Sequence, residues 1–321
     1  MPKPPTLFVT RKYPAAVEAR INAGYDARLN QDDSLYDADA LIVGAQGADG
    51  LLVTITDRLT AQIIGDLPDS VRVIATFSVG YEHIDVAAAQ ARGIVVTNTP
   101  DVLTDATADI ALLLILGAAR RAAEGAAMIR DGTWSPWSPE GFLGTDLRGK
   151  RLGIYGMGRI GQAVAKRART FGLVIHYHSR TRLAPGLEQG AVYHQTAEDL
   201  LKVSDMLSLN AAATAETNRF LNRERIDLLP ARAIVINTAR GSLVDEDALI
   251  DALQSGRLAA AGLDVYDNEP NIKPAFRELR TAFLLPHLGS ATVETRLAMG
   301  FCALDNLDAF FAGRTPPNVV G

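Results

Sequence analysis

The sequence predicts an α/β protein built from two doubly wound parallel-sheet domains. Short apolar runs typical of buried parallel strands recur along the chain, and polar helical patterns separate them. The chain has 321 residues, which is more than one compact core usually serves. No internal repeat or low-complexity stretch interrupts this alternation.

The first hundred residues contain five apolar runs with the length of buried strands. They are LFV at 7–9, LIV at 41–43, LLV at 51–53, VRVI at 71–74 and IVV at 94–96. Helical patterns cover 14–23 and 60–67. The Asn-Thr-Pro run at 98–100 ends this region, because the residue before a proline is pushed out of the helical conformation. We therefore expect a small α/β domain here.

A strongly apolar helix is expected at 106–121, followed by a loop at 131–144. Helices that are apolar on most faces are buried, so this one packs within its own domain or against a second subunit. The loop contains both tryptophans of the chain, Trp134 and Trp137. It either anchors or closes a pocket, or it is held to its own surface.

The alternation of strands and helices resumes after residue 150. Strands are expected at 151–155, 173–175, 206–210, 233–238, 259–265 and 282–286. A long amphipathic pattern at 291–312 follows, and we expect it to return to the first domain. The predicted domains are thus 1–100 with 288–321, and 101–287, with a cleft between them.

Composition excludes several classes of protein. Hydrophobic residues make up 48% and charged residues 21%, as in ordinary globular proteins, and the net charge of −5 argues against a broad nucleic-acid surface. Cys302 stands alone, so no intrachain disulfide forms and apolar filling is its expected role. The start lacks the apolar core of a signal peptide, and the most apolar run, 110–119, is too short to span a bilayer. We expect a cytoplasmic enzyme or binding protein without a membrane partner or a metal site.

The run GMGRIG at 156–161 is the most informative motif of the chain. It lies between a strand-like run and a helical pattern, the context of a dinucleotide-binding turn. Gly156 allows the tight turn, Gly158 lets the backbone approach the pyrophosphate, and Gly161 allows close packing of helix and strand. The free N–H groups of the helix start, around Arg159 and Ile160, then face the phosphates.

The residues after the second strand of this unit indicate which dinucleotide binds. A free ribose 2′-hydroxyl is usually held by an acidic residue about 20 positions after the glycines, and none is present here. Basic and hydroxyl side chains suit a 2′-phosphate instead, although a solvated basic loop is the alternative. We expect NADPH to be preferred, with NADH as the second choice. The expected contacts are His178, Ser179, Arg180, Thr181 and Arg182.

Three charged residues follow predicted strands at the edge where such sheets bind ligands: Arg240, Glu269 and His287. Taken singly, each also fits a solvated turn, a loop or a core position. Together they supply a carboxylate binder, an orienting partner and an acid/base. Histidine titrates near neutral pH, a nearby carboxylate favours imidazolium, and arginine forks onto carboxylates. They predict the reduction of a keto acid.

Four motifs resemble the D-isomer-specific 2-hydroxyacid dehydrogenases: SVGY at 78–81, TARG with VDE at 238–246, GLDV with EP at 262–270, and PHLGS at 286–290. The resemblance covers nearly the whole chain. It implies a flavodoxin-like substrate domain and a Rossmann NAD(P) domain. It also implies that Arg240 binds substrate, that Glu269 partners the acid/base His287, and that the backbone amides of Val79 and Gly80 hold the substrate carboxylate.

Within this family the chain is most similar to NADPH-dependent glyoxylate/hydroxypyruvate reductases, because of the missing acid and the WSPW run at 134–137. In relatives a tryptophan of this loop reaches the partner's substrate site, so a homodimer through 106–121 and 131–144 is expected. The implied substrate walls are Leu52, Tyr81, Trp137 and Ser290. The implied cofactor contacts beyond those above are Thr104, Ala211, Thr217, Thr238, Ala239, Asp264 and Gly289.

Two positions depart from the family pattern. The segment NAA at 210–212 lacks the His or Cys and the Pro that are frequent there, which puts the contact of Ala211 in doubt. Asp109 stands where Glu is frequent, and we attach no function to it.

Other functions remain open at this stage. A D-lactate-type dehydrogenase or a reductase of a bulkier 2-keto acid, such as hydroxyphenylpyruvate, differs mainly in pocket volume. A formate dehydrogenase needs a dry, anion-tight pocket with its own loop residues, of which the sequence carries no sign. A nucleotide-sensing protein similar to the C-terminal-binding-protein corepressors is the non-enzyme alternative, but the extended polar tails that would favour it are missing from the sequence.

Overall fold

The computed structural model describes residues 3–321, and the chain divides into two compact units. Unit 1 comprises the described part of Met1–Leu103 together with Ala291–Gly321, and unit 2 is Thr104–Ser290. The predicted boundaries fell three residues earlier at both crossings. Residues 288–290 stay with unit 2 because the buried carboxylate of Asp264 accepts the amides of Leu288 and Gly289.

The described residues form twelve strands and thirteen helices, numbered here in chain order. The strands are β1 Thr6–Val9, β2 Asp26–Arg28, β3 Gly50–Val53, β4 Val73–Thr76, β5 Val95–Thr97, β6 Arg151–Tyr155, β7 Val174–His178, β8 Val192–Tyr193, β9 Met206–Leu209, β10 Ala233–Asn237, β11 Leu258–Leu263 and β12 Ala282–Leu284. The helices are α1 Ala15–Gly24, α2 Ala38–Gly44, α3 Ala61–Asp66, α4 Val86–Ala91, α5 Thr104–Ala119, α6 Ala122–Arg130, α7 Arg159–Thr170, α8 Pro185–Glu188, α9 Ala197–Val203, α10 Arg223–Leu228, α11 Glu246–Gln254, α12 Pro274–Glu278 and α13 Val293–Phe311.

Unit 1 is a five-stranded parallel sheet in the order β2-β1-β3-β4-β5. The LIV run at 41–43, predicted as a strand, lies instead in α2. Asp37 caps that helix by accepting the amide of Ala40, and only Leu41 of the helix is buried while Val43 is 69% exposed. The strand of this region is the polar edge strand β2, which no apolar pattern marks.

Unit 2 is a seven-stranded parallel sheet in the order β12-β11-β10-β9-β6-β7-β8. Strands β7 and β8 are added on one side of β6 and strands β9 to β12 on the other, so the strand order reverses at β6. The loop after β6 therefore opens at the topological switch point, where such sheets bind ligands. Helix α5 ends before the predicted 121, and α6 follows it. Helix α5 packs against α7, β10 and β11, so much of its apolar surface is buried within unit 2.

The two parallel sheets confirm the predicted fold class. Two apolar cores cover the two faces of the unit 2 sheet, one built around α5 and α7 and the other around α9, α10 and α11. Within residues 3–321, none of the helices combines the length and apolar character needed to span a membrane. The same residues contain no group of three or more His, Cys, Asp or Glu side chains placed to hold a metal ion.

Candidate active site

The glycine-rich loop connects β6 to α7, and its three glycines serve three different needs. Gly156 has a φ of +96°, and a Cβ there would lie 2.6 Å from the amide nitrogen of Ala211. A Cβ on Gly161 would lie 2.3 Å from the carbonyl oxygen of Gly156. Gly158, the residue that caps α7, has an ordinary negative φ, and a Cβ on it would meet nothing within 4 Å. The open space above Gly158 is therefore free for a phosphate group at the start of the helix.

Residues at the end of β7 contact this loop and each other. The hydroxyl of Ser179 accepts the amide of Met157 at 2.6 Å, which ties the 178–182 segment to the glycine-rich loop. Arg182 forms two hydrogen bonds to the carboxylate of Glu188, at 2.8 and 3.2 Å. Glu188 also accepts the hydroxyl of Tyr177, and these two partners, Arg182 first, lower its pKa. Arg182 is thus bound to the carboxylate of Glu188, which lies six residues further along the chain and outside the predicted phosphate-binding segment 178–182.

The other predicted phosphate contacts differ in how their side chains are used. Arg180 and Thr181 are exposed, and Arg180 forms no ion pair with another described residue. The Nδ1 atom of His178 lies 3.0 Å from the carbonyl oxygen of His194. Arg180 is therefore the guanidinium of this segment that is available to a phosphate.

Two buried polar atoms at the ends of adjacent strands lack a hydrogen-bond partner among the described residues. They are Oγ1 of Thr238, after β10, and Oδ1 of Asn210, after β9. Buried polar groups are normally hydrogen-bonded, so atoms of this kind at a ligand-binding edge indicate that a polar ligand completes them. Together with the space above Gly158, they fit a bound dinucleotide.

Thr217 and Ala211, also predicted cofactor contacts, have structural roles in the loop after β9. The Thr217 hydroxyl donates to the carbonyl of Ala212 at 2.8 Å and accepts the amide of Thr214 at 2.8 Å. Its hydrogen-bonding capacity is used by its own loop. The backbone of Ala211 passes closest to Gly156, as described above.

His287 and Glu269 form a hydrogen-bonded pair beyond the ends of β12 and β11. The Nδ1 atom of His287 lies 2.7 Å from Oε2 of Glu269, and both side chains are 29% exposed. Oε1 of the same carboxylate accepts the amide of Tyr266 at 2.8 Å. A carboxylate only accepts, so Nδ1 of the ring carries the shared hydrogen and Nε2 is left to face a ligand.

The charge state of Glu269 follows from its surroundings. Burial raises its pKa, but the hydrogen bond and charge of His287, the amide of Tyr266 and the charge of Arg240 together leave the pKa lowered. Glu269 is therefore ionised at neutral pH and presents a negative charge to the imidazole.

Asp264, predicted as a cofactor contact, holds the loop that carries His287. Its two carboxylate oxygens accept the amides of Leu288 at 2.6 Å and Gly289 at 2.8 Å, and its carbonyl accepts the amide of His287 at 2.9 Å. The carbonyl of Gly289 in turn accepts the hydroxyl of Thr107 at 3.2 Å. Asp264 is only 1% exposed, and burial raises its pKa. The side chain is thus a clamp on residues 287–289.

Arg240 sits at the start of a short 3₁₀ turn, Gly241–Leu243. A Cβ on Gly241 would lie 1.8 Å from the carbonyl carbon of Tyr266, so the turn packs directly on the segment that leads to Glu269. The side chain of Glu246 accepts the amide of Asp267 at 2.9 Å in the same segment. Glu246 is not among the site residues predicted from the sequence, and only its place in the VDE motif could have indicated a role.

In unit 1 the turn after β4 presents two backbone amides. Among the described residues, neither the amide of Val79 nor that of Gly80 donates a hydrogen bond. The carbonyls of the turn are occupied instead, that of Val79 by Nδ2 of Asn98 at 2.8 Å and that of Gly80 by the hydroxyl of Ser78 at 2.6 Å. Such a turn can accept an anion at its free amides.

The implied substrate walls have unequal exposure. Leu52 lies in β3 with no exposed surface, because both faces of this central strand are covered, so its side chain has no surface to offer a substrate. Tyr81 is 42% exposed, Trp137 is 82% exposed, and Ser290 is partly buried. Thr104, an implied cofactor contact, begins α5 and is half-buried.

A family model matches residues 112–289, and it describes the NAD-binding domain of the D-isomer specific 2-hydroxyacid dehydrogenases. The chain belongs to this family. It is 44% identical to glycerate dehydrogenase of Hyphomicrobium methylovorum, over 96% of both chains, and 42% identical to glyoxylate reductase of Thermococcus litoralis, over 98% of this chain and 96% of the relative.

Solved structures of similar proteins cover the chain almost completely. A D-isomer specific 2-hydroxyacid dehydrogenase from a Polaromonas species is 47% identical, with a TM-score of 0.93 over 99% of this chain and all of that one. An NADPH-dependent glyoxylate/hydroxypyruvate reductase of Sinorhizobium meliloti, in complex with NADP and malonate, is 36% identical, with a TM-score of 0.88 over 99% and 97%. The family expected from the sequence motifs is thereby confirmed.

The space above Gly158 predicts that a methyl group blocks the cofactor without harming the fold of this dehydrogenase. Gly158→Ala should leave the free energy of unfolding within ~0.5 kcal/mol of the parent, because its Cβ meets no atom. Its Kd for NADPH, measured by fluorescence titration, should rise ~10-fold or more. The matched control is Gly161→Ala, which should lower stability by ~1–3 kcal/mol since its Cβ meets the Gly156 carbonyl. Unchanged NADPH binding by Gly158→Ala would contradict the placement of the pyrophosphate.

Proposed function

We propose that this dehydrogenase is an NADPH-linked reductase of small 2-keto acids, converting glyoxylate to glycolate and hydroxypyruvate to D-glycerate. The observation that carries the proposal is the His287–Glu269 pair, which lies at the same edge of the unit 2 sheet as the glycine-rich loop. The names of the relatives support the substrate class, and the NADP complex of the Sinorhizobium reductase supports the cofactor.

The residues of this chain have distinct roles in the proposed reaction. A bound reduced nicotinamide supplies the hydride that the carbonyl carbon of the substrate receives. His287 donates a proton from Nε2 to the carbonyl oxygen as negative charge develops there, and ionised Glu269 stabilises the imidazolium that donates it. Arg240 binds the substrate carboxylate and polarises the carbonyl. The free amides of Val79 and Gly80 are the second carboxylate contact in this proposal.

A homodimer through 106–121 and 131–144 is also part of the proposal. Large apolar side chains of these two ranges are exposed in the single chain, among them Leu113, Trp134, Trp137 and Leu143. Exposed apolar groups in such number are typical of an interface. Sedimentation as a single 34.3 kDa chain at micromolar concentration would contradict it.

The first prediction for the proposed reaction concerns turnover and its proton donor. The purified protein should oxidise NADPH when glyoxylate or hydroxypyruvate is added, and His287→Ala should lower kcat by ~10²-fold or more while the Kd for NADPH changes little. The matched control is His194→Ala, since the ring of His194 is hydrogen-bonded to His176, and the variant keeps the backbone carbonyl that lies against His178. Absence of cofactor oxidation with any small keto acid would refute the proposed function.

The second prediction concerns pH. Reduction needs the protonated imidazole, and the negative charge of Glu269 favours that form. Glu269→Gln removes the charge, so the fall of kcat/KM for reduction with rising pH should begin at lower pH than in the parent. The control Glu198→Gln, whose carboxylate pairs with Arg225 at 2.8 Å, should leave the profile in place. A profile that stays in place in Glu269→Gln as well would exclude this role.

The third prediction concerns cofactor choice. Arg180→Ala should lower kcat/KM with NADPH by ~10-fold or more and leave the value with NADH nearly unchanged, because its charge is the one available to a 2′-phosphate. Arg182→Ala, the matched control, should have the smaller effect because Arg182 is bound to Glu188. Equal losses with both cofactors, or a larger effect at Arg182, would contradict this assignment.

A further inference from the structure

A cluster of three asparagines, two of them buried, lies behind the Val79–Gly80 turn of unit 1. It consists of Asn98, which follows β5, Asn306 in the middle of α13, and Asn318 in the C-terminal segment. Asn306 is completely buried and Asn98 is 8% exposed. Burying side-chain amides is unfavourable unless each one is hydrogen-bonded, so the bonds of this asparagine cluster show what it does.

The cluster holds the backbone of residue 98 from two sides. Nδ2 of Asn306 donates to the carbonyl of Asn98 at 3.0 Å, and the amide of Asn98 donates to the carbonyl of Asn318 at 3.1 Å. Oδ1 of Asn306 accepts both the amide and the side-chain Nδ2 of Asn318, each at 3.1 Å. These bonds use the backbone of Asn98, so its side chain remains available to hydrogen-bond the Val79–Gly80 turn.

That side chain, together with the next residue, holds two successive carbonyls of the turn. Nδ2 of Asn98 donates to the carbonyl of Val79 at 2.8 Å, and the amide of Thr99 donates to the carbonyl of Ser78 at 2.9 Å. In a planar trans peptide the C=O and the following N–H point in opposite directions. Fixing the Ser78 and Val79 carbonyls towards residues 98–99 therefore turns the amides of Val79 and Gly80 away from them, side by side.

We propose that Asn98, held by Asn306, is a positioning residue that aims the Val79 and Gly80 amides at the carboxylate of the substrate. The inference rests on the proposed function, because it takes that carboxylate as the ligand of the turn. Asn98 itself does not touch the substrate. Its contribution is to keep two donors in place before the anion arrives, so that binding does not have to order them.

The test replaces the amide donor and measures carboxylate binding separately from turnover. Asn98→Asp keeps the shape of the side chain but puts an acceptor against the Val79 carbonyl, and Asn98→Ser removes the donor without burying a charge. Both should raise the KM for glyoxylate and the inhibition constant of oxalate, a non-reacting dicarboxylate, by ~10-fold or more. The kcat at saturating glyoxylate and the Kd for NADPH should stay within ~3-fold of the parent. Asn306→Asp, which puts an acceptor against the Asn98 carbonyl one step further from the turn, should shift both constants in the same direction by less.

The matched control is Asn30→Asp. Asn30 is a buried asparagine of the same unit, and its Nδ2 holds the carbonyls of Thr10 and Ser34 rather than the turn. This variant should lower Tm without raising the oxalate inhibition constant. Should Asn98→Asp fail to fold, Asn98→Ser and Asn306→Asp decide the result. Parent-like KM and oxalate binding in folded Asn98 variants would overturn the positioning role alone, whereas a parent protein without turnover would refute the proposed function and this inference together.

Discussion

The buried carboxylate of Asp264 is the constraint on which the geometry of unit 2 depends. Its oxygens and its carbonyl accept three successive amides, those of residues 287–289. These bonds fix a backbone in which His287 has a positive φ of +56°, a conformation that is uncommon for residues other than glycine. With the backbone held, the ring meets Glu269, which the amide of Tyr266 orients in turn. The acid/base pair thus depends on Asp264, whose hydrogen bonds hold the backbone of residues 287–289 and not the two side chains themselves.

Close packing of backbone supplies the rest of the arrangement. The Arg240 turn can lie against the 266–267 segment only because residue 241 has no Cβ, and this proximity lets the charge of Arg240 lower the pKa of Glu269. In the glycine-rich loop, Gly156 and Gly161 permit the same kind of approach between loop, helix and strand. Gly156, Gly161 and Gly241 are therefore required by the packing of unit 2, whereas a Cβ on Gly158 would meet no atom of the protein.

Much of this site could be predicted from the sequence, because the carboxyl ends of parallel strands meet at one edge of a sheet. That rule places the glycine-rich loop, Glu269 and His287 together without knowledge of any contact. Prediction from the sequence fails where a contact with a distant residue decides the local structure or the role of a side chain. The apolar run at 41–43 lies in a helix that Asp37 caps, and not in a strand. Arg182 is hydrogen-bonded to Glu188, and the side chain of Leu52 is buried in the core. Apolar periodicity carries no information about partners of these kinds.

The two units solve the problem of aiming backbone groups in related ways. In unit 2 the Asp264 carboxylate accepts two backbone amides and so positions the side chain of His287. In unit 1 the side chain of Asn98 donates to the Val79 carbonyl and so orients the amide that follows it. In both cases the residue that sets the geometry is buried and polar, and removing its partner would leave an unsatisfied group in the interior. Such residues are restricted to one conformation, since any other conformation would break several hydrogen bonds at once. The proposed chemistry of this dehydrogenase therefore depends on Asp264 and Asn98 as much as on the side chains that face the substrate.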